Sequence, residues 1–498
     1  MNASRFTDLL REVVSAEQTI PVDDTRHVDV VRDVIECPCC GLFQKLPPLE
    51  PGTQARCPRC NQMLDRRNKT APIATPLAFC ISSAALYLAM LFSTLMILDL
   101  YGRQRTVDII TGPIELLHEG WGEVGVLVAI ATVLAPGIVI AMMGMILTSA
   151  LRPTLPSWVP HLLKWYELLR PWSMVEVYIL GVFVAYTKLV DLAFVEVGAA
   201  VYLVAALMLT MAATDATLDT ELIWEQRKVD STMRTKQGTR IPVRTVSVEK
   251  DGALAPSSNR LSCLSCGLVL EFDHAISPTE PAGYCPRCGH VVRQRKANSL
   301  SRTTALLVSA MVFYIPANLY PVMTVIKMGN GSGHTIVEGA VELWEGGMIP
   351  LSILVLFASV TVPVLKMVGL TEMVWCIRRG TRKGLALRSK LYRVIDIVGR
   401  WSMIDVFMVS ILVAMVRFSH LASVTANGGM VCFAAVVVLT IFAVHTFDPR
   451  LMWDAVKDVQ PQGGVDPHPT TFPGPDGTAP HVPTNAQAYL GNMEPDQA

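Results

Sequence analysis

Trp172-Ser173-Met174-Val175-Glu176-Val177 opens a long apolar stretch, and 229 positions later Trp401-Ser402-Met403-Ile404-Asp405-Val406 opens another. An acid enters each stretch at the same place (Glu176, Asp405), and a cation sits near the end of each (Lys188, Arg417). A repeat of this period means that the architecture is a duplicated unit. The correspondence extends outward: Pro136 matches Pro363, and Asp219 and Trp224 match Asp448 and Trp453.

The chain has 498 residues, 51% of them hydrophobic and 17% charged. Globular domains average about 25% charged residues, so this composition serves something besides a water-soluble core. Apolar runs long enough to span a bilayer recur. They predict helices over about 77–98, 124–149, 173–195, 197–213, 304–326, 349–375, 403–418 and 430–445. Residues 1–33 are polar, which predicts a soluble N-terminal portion and no signal peptide. The fold class is an all-α polytopic membrane protein, a tandem duplication of one four-cysteine zinc ribbon plus four transmembrane helices, with eight spans in total. The segments follow in order: a polar N-terminal lead-in (1–35), zinc ribbon 1 (36–70), helices one to four (71–224), a linker (225–260), zinc ribbon 2 (261–298), helices five to eight (299–454) and a Pro/Gly-rich tail expected to be disordered (455–498).

Eight of the twelve cysteines form Cys-x2-Cys pairs. Cys37 and Cys40 lie sixteen residues ahead of Cys57 and Cys60; Cys263 and Cys266 lie eighteen ahead of Cys285 and Cys288. Two such knuckles close a tetrahedron of thiolates around Zn²⁺ at about 2.3 Å. The residue after each knuckle must turn sharply, and Gly41, Asn61, Gly267 and Gly289 all tolerate positive φ. The expected cofactor is zinc in two closed, structural sites, with reduced cysteines and no metal as the alternative. Cys39 is a bystander; Cys80, Cys376 and Cys432 lie in or beside apolar helices.

Loops between helices two and three and between six and seven carry eleven Lys/Arg (Arg152, Lys164, Arg170, Arg378, Arg379, Arg382, Lys383, Arg388, Lys390, Arg393, Arg400), against three (Arg103, Arg105, Lys327) on the other side. The positive-inside rule makes the first group cytoplasmic. Four spans separate the two ribbons, so both share that side, and both termini with them, where thiols stay reduced.

Lys188 and Asp191 stand one helical turn apart within apolar sequence. Ionisable groups inside a membrane usually face a polar interior and pair, so the two read as a proton relay or gate. The alternative is an ion pair near the far membrane surface, with the lysine stem snorkelling to water. Arg417 and His420 carry the same ambiguity. Thr440 is a candidate to join a polar cluster. Pro316-Ala317-Asn318-Leu319-Tyr320-Pro321 should break the fifth helix near its outer end and free carbonyls over a cavity, a candidate lipid pocket formed by Pro316, Asn318, Tyr320 and Pro321; a simple helix terminus is the alternative. Glu115 and Glu342 precede Gly-rich turns in equivalent outer loops and cap helices, meet a partner or are solvated. No nucleophile–base arrangement, phosphate-cradling loop or HExxH motif is present, so no enzyme is predicted.

The two cysteine ribbons, each ahead of four spans, together with PANLYPVM (316–323), VELWEGG (341–347), RWSMIDVF (400–407) and TFDPRLMW (446–453), resemble the paraquat-inducible protein A family. That family includes the A component of the lipophilic envelope-spanning tunnel system. The resemblance covers about residues 36–455 and is cleaner in the second copy, since the first lacks PANLYP. It implies a bacterial inner-membrane, multi-pass protein working with a periplasmic MCE-domain tunnel partner. Together they would move phospholipids or other lipophilic molecules between membranes. The resemblance implies neither the direction nor the energy source; the residues themselves make Lys188 and Asp191 the expected coupling to protons. A membrane-anchored redox or metal sensor and a non-transporting scaffold for the tunnel are the other readings. Nucleic acid is not an expected partner, because the basic residues cluster beside the membrane, where anionic headgroups are.

Overall fold

Eight helices among the described residues are long and apolar enough to cross a membrane: α1 (Ala74–Leu91), α2 (Gly122–Ala150), α3 (Val159–Val190), α4 (Ala199–Thr217), α5 (Ser299–Leu319), α6 (Ile349–Arg379), α7 (Leu385–Met415) and α8 (Gly428–Thr446). The computed structural model describes residues 26–457 apart from 51, 67–72, 101–102, 154, 191–193, 249–251, 255–258, 278–279, 328–329 and 417–421. The proposed tail and most of the lead-in lie outside the described residues.

The repeated Trp-Ser-Met stretches lie at the centre. The first begins at the end of a 3-10 turn (Arg170–Trp172) and the second lies within one (Gly399–Met403), and the helices they open, Val175–Val190 and Ile404–Met415, pack against each other. Every residue of Ile404–Met415 is buried. Inside a bilayer the association of helices depends on close packing and small residues rather than on expulsion of water. Gly181 supplies the small residue: a Cβ there would stand 2.9 Å from Phe407 Cβ. The outer pairs α1 with α4 and α5 with α8 flank this centre.

Pro136 and Pro363 shape α2 and α6 alike. Proline has no N–H for the helical ladder, and the five residues ending just ahead of its turn, Ile130–Leu134 and Phe357–Thr361, form a π-helical segment in both repeats. Thr132 and Ser359 sit in these wide turns and donate to Val128 O and Val355 O, at 2.8 and 2.7 Å.

Helices predicted to run to 98 and 326 end at Leu91 and Leu319 instead. The β-branched and hydroxyl residues beyond them favour strands, and each repeat builds a three-stranded antiparallel sheet there. Thr94–Leu100 lies between Arg103–Asp108 and Phe194–Val197; Met323–Lys327 lies between Asn330–His334 and Ala422–Ala426. This end is called the strand face below, and the opposite one the ribbon face.

On the ribbon face, Val28–Arg32 of the expected lead-in and Arg240–Ser247 of the expected linker are strands rather than weakly structured chain. They pair in parallel, and Val28–Arg32 also pairs antiparallel with Val269–Phe272 of the second ribbon, inside a seven-stranded sheet. Val28, Val30 and Val31 are buried there, a pattern too short to stand out in polar sequence.

Each ribbon docks on the other repeat. Arg59 of the first lies 4.1 Å from the ring centre of Trp453, and Arg393 of α7 donates to Cys60 O and Asn61 O at 3.2 and 3.1 Å. Arg287 of the second lies over Trp224, and Arg227 donates to Arg287 O at 2.8 Å. At the junction, Glu36 accepts from Arg295, Arg450 and Ser262, while Arg450 also grips Asp448.

Candidate metal centres and an intramembrane charge network

The four knuckles are built alike. In each, the first cysteine's N–H donates to the carbonyl five residues on, and the residue after the second cysteine donates back: Cys37 N to Leu42 O and Gly41 N to Cys37 O, both 2.9 Å, and likewise at Cys57, Cys263 and Cys285. Such a turn needs a left-handed residue, and φ is +68° at Gly41, +56° at Asn61, +71° at Gly267 and +72° at Gly289. The result is two groups, Cys37/Cys40/Cys57/Cys60 and Cys263/Cys266/Cys285/Cys288, each with its sulfurs within 4.8 Å of one another. Across the groups, Cys37–Cys60 and Cys40–Cys57 stand at 3.5 and 3.6 Å, and Cys263–Cys288 and Cys266–Cys285 at 3.6 Å. Tetrahedral Zn–S bonds of about 2.3 Å set sulfurs about 3.8 Å apart, so both sets fit a metal ion closely. Four protein sulfurs leave no position for a substrate. Cys39 stands outside the first group, its Sγ 4.0 Å from Ser389 O.

Lys366, in α6, is buried at 1% exposure. Its Nζ donates to Ser402 Oγ at 3.0 Å and Thr440 Oγ1 at 3.3 Å, and no carboxylate pairs with it among the described residues. Those hydroxyls give their own protons away, Ser402 to Gly399 O and Thr440 to Val437 O, both at 2.9 Å, so their lone pairs face the amine. Thr440 thus meets Lys366, not Lys188. Sequence reasoning passed over Lys366, although a lone cation inside Val362–Leu370 was the signal. Aligned on the prolines, the first repeat has Val139 there.

Lys188, near the end of α3, crosses to the other repeat. A Cβ at Gly339 would lie 3.4 Å from its Nζ, and the carboxylates within its electrostatic reach are Glu342 and Asp405. Asp191, Arg417 and His420 lie outside the described residues. Asp405 is 4% exposed, and neither carboxylate oxygen has a hydrogen-bond partner among the described residues. Ser359, in the π-helical turn of α6, is the hydroxyl beside it, and Lys188 the cation it feels. Glu176, the matching acid, is exposed, so the repeat that looked symmetric in sequence is not so in its environment.

At the strand end of α5, Asn318 Nδ2 donates to Tyr314 O at 2.8 Å and Tyr320 N to Pro316 O at 3.0 Å, while Gly429 N donates to Pro321 O at 3.2 Å. Tyr320 is exposed, and Pro316 and Pro321 are half-buried. Glu115 pairs with Arg105 within the first strand-face region.

A duplicated eight-span membrane protein with a four-cysteine metal-binding cluster for each repeat is the class that this fold and site define. The chain belongs to the paraquat-inducible protein A family, whose model matches residues 73–228 and 300–457. It is 28% identical over 420 residues to the intermembrane transport protein PqiA of Escherichia coli K12, spanning 84% of this chain and 95% of that one. It is 27% identical over 432 residues to the lipophilic envelope-spanning tunnel protein A of the same organism, 85% and 92% of the two chains. No solved structure matches. The chain is thus a multi-pass membrane protein with a relative named for intermembrane transport and another named for an envelope-spanning tunnel.

Proposed function

We propose that the protein is the bacterial inner-membrane subunit of a lipid transport system, passing phospholipid or another lipophilic molecule to or from a periplasmic MCE-domain tunnel. Zinc in the two ribbons braces the cytoplasmic face, both termini lie there, and the chain carries no enzymatic activity. Transport is coupled to protons at Lys366, Asp405 and Lys188, with Asp191, three positions on in the sequence, as the further candidate. Lipid enters or leaves by the strand end of α5, past Pro316, Asn318, Tyr320 and Pro321.

The observation that carries this reading is the set of charged side chains inside the spans with no fixed ion pair among the described residues: Lys366 on two hydroxyls, Asp405 on none, Lys188 reaching across the repeats. Such groups are expensive in a membrane and mark ion or proton paths. The names of the two relatives support the transport half of the proposal. The test is transfer of labelled lipid from proteoliposomes to acceptor vesicles bearing the tunnel protein, under an imposed pH gradient. Wild type responds to the gradient; Lys366→Met and Asp405→Asn do not. Transfer at the wild-type rate by both variants sinks the coupling.

A further inference from the structure

Between the two repeats, near the ribbon face, lies a cavity of about 330 Å³. α3 forms one wall, with Glu167 ahead of its 3-10 turn and Arg170 in it, and α6, α7 and α8 form the others. Its apolar lining is Ile395, Ile397, Ile441 and Val444, and its polar groups are Glu167, Arg170, Lys366, Asp396, Arg400 and His445.

What matters is which of these charges are already satisfied. Arg170 is taken by Asp215, with Nη2 at 2.7 Å and Nε at 3.2 Å. Lys366 is held by Ser402 and Thr440. Arg400, Glu167 and Asp396 make no hydrogen bond or ion pair with described residues. The guanidinium of Arg400 and the exposed carboxylates of Glu167 and Asp396 thus share a cavity with the buried ammonium of Lys366, which only hydroxyls hold. A purely anionic ligand would meet the carboxylates unfavourably. A zwitterion suits both signs.

We propose that this cavity binds the headgroup of an amine-bearing phospholipid, the phosphate diester against Arg400 and the ammonium against Glu167 and Asp396. Guanidinium forks match phosphate oxygens in geometry and charge, and basic pockets between spanning helices take lipid headgroups. The volume sits at the lower end of small-molecule pockets, about 300–1,000 Å³, so it takes a headgroup and leaves the acyl chains along the isoleucines and in the bilayer. The inference rests on the lipid-transport reading and names its substrate class.

The test is native mass spectrometry of the purified full chain equilibrated with three lipids of identical acyl chains: an aminoethyl phosphodiester, an anionic phosphoglycerol and a diacylglycerol. The aminoethyl lipid should be retained preferentially and the diacylglycerol least. Arg400→Gln should lower retention of both phosphate lipids about tenfold, the weight of one charge-assisted contact, and Arg400→Lys should recover most of it. Glu167→Gln with Asp396→Asn should turn the preference toward the anionic lipid. Equal retention of all three lipids, or a preference indifferent to these changes, overturns the proposal. Displacement of the lipid by soluble phosphoethanolamine overturns the lipid as the source of the phosphate. Asp405→Asn, which does not line the cavity, separates this proposal from the transport reading: it should stop gradient-driven transfer and keep the headgroup preference.

Discussion

Tyr178 and Phe407 hold the same position in the two repeats, and their rings meet edge to face, centroids 5.7 Å apart and planes at 76°. Equivalent residues touch each other only near the axis that relates the two copies, as in an isologous interface. The central helix pair is therefore a dimer interface within one chain. The asymmetries arise around it: Gly181 in one helix faces the Phe407 of the other, and exposed Glu176 answers buried Asp405.

Gly181→Leu should strike this axis. Overpacking a filled interior costs about 1–3 kcal/mol, and here the new side chain meets both Phe407 and the carbonyl of Ile404. The melting temperature of the detergent-solubilised protein should fall clearly. Unchanged melting would mean that the two helices part readily.

Lys366→Met keeps the volume and removes the charge, so it should leave melting unchanged or raise it, since replacing a buried ion by a packed apolar group is often neutral or stabilising. Thr440→Ala instead leaves the amine with one hydroxyl, and should lower stability by about 1–3 kcal/mol. Thermal melts of the two variants side by side check the contrast.

Loss of metal should act crosswise. A ribbon depends on its metal for folding, and the first one is anchored on α7 and Trp453 through Arg393 and Arg59. Cys57→Ser should raise hydrogen exchange around 385–403 and 447–457 in the second repeat. Cys285→Ser should raise it around 220–230 in the first. Exchange that rises within each ribbon's own repeat would contradict the docking.

Asp448 provides a pH prediction. Burial works against its charge, but Arg450, with two bonds of 3.0 Å, and the N–H of Lys296 at 3.1 Å outweigh it and hold the carboxyl below its ordinary value. A carboxyl lowered on folding contributes stability that is fully present above the unfolded value, about 3.9, and lost as pH falls through the folded one. Asp448→Asn should therefore melt well below wild type at pH 6, with the gap closing toward pH 3. A gap that stays constant would show that the carboxylate's charge is irrelevant there.

Much of this architecture was legible in one dimension. The 229-residue repeat, the paired prolines and the cysteine spacing are local or periodic signals, and they predicted eight spans, two ribbons and the left-handed residues after each knuckle. The strand-face sheets were not legible. Residues 94–98 and 323–326 are as apolar as the helices they follow, and only pairing with distant strands decides their conformation.

The site divides in the same way. Cys-x2-Cys spacing determines which sulfurs can share an ion, because each knuckle is closed by backbone bonds within six residues. Which repeat a ribbon braces, that Lys366 rather than Lys188 meets Thr440, and that Asp405 is buried while Glu176 is exposed are decided only by the tertiary structure. Those relationships join residues tens to hundreds of positions apart, and they follow from how one repeat's helices pack against the other's, which no local pattern encodes.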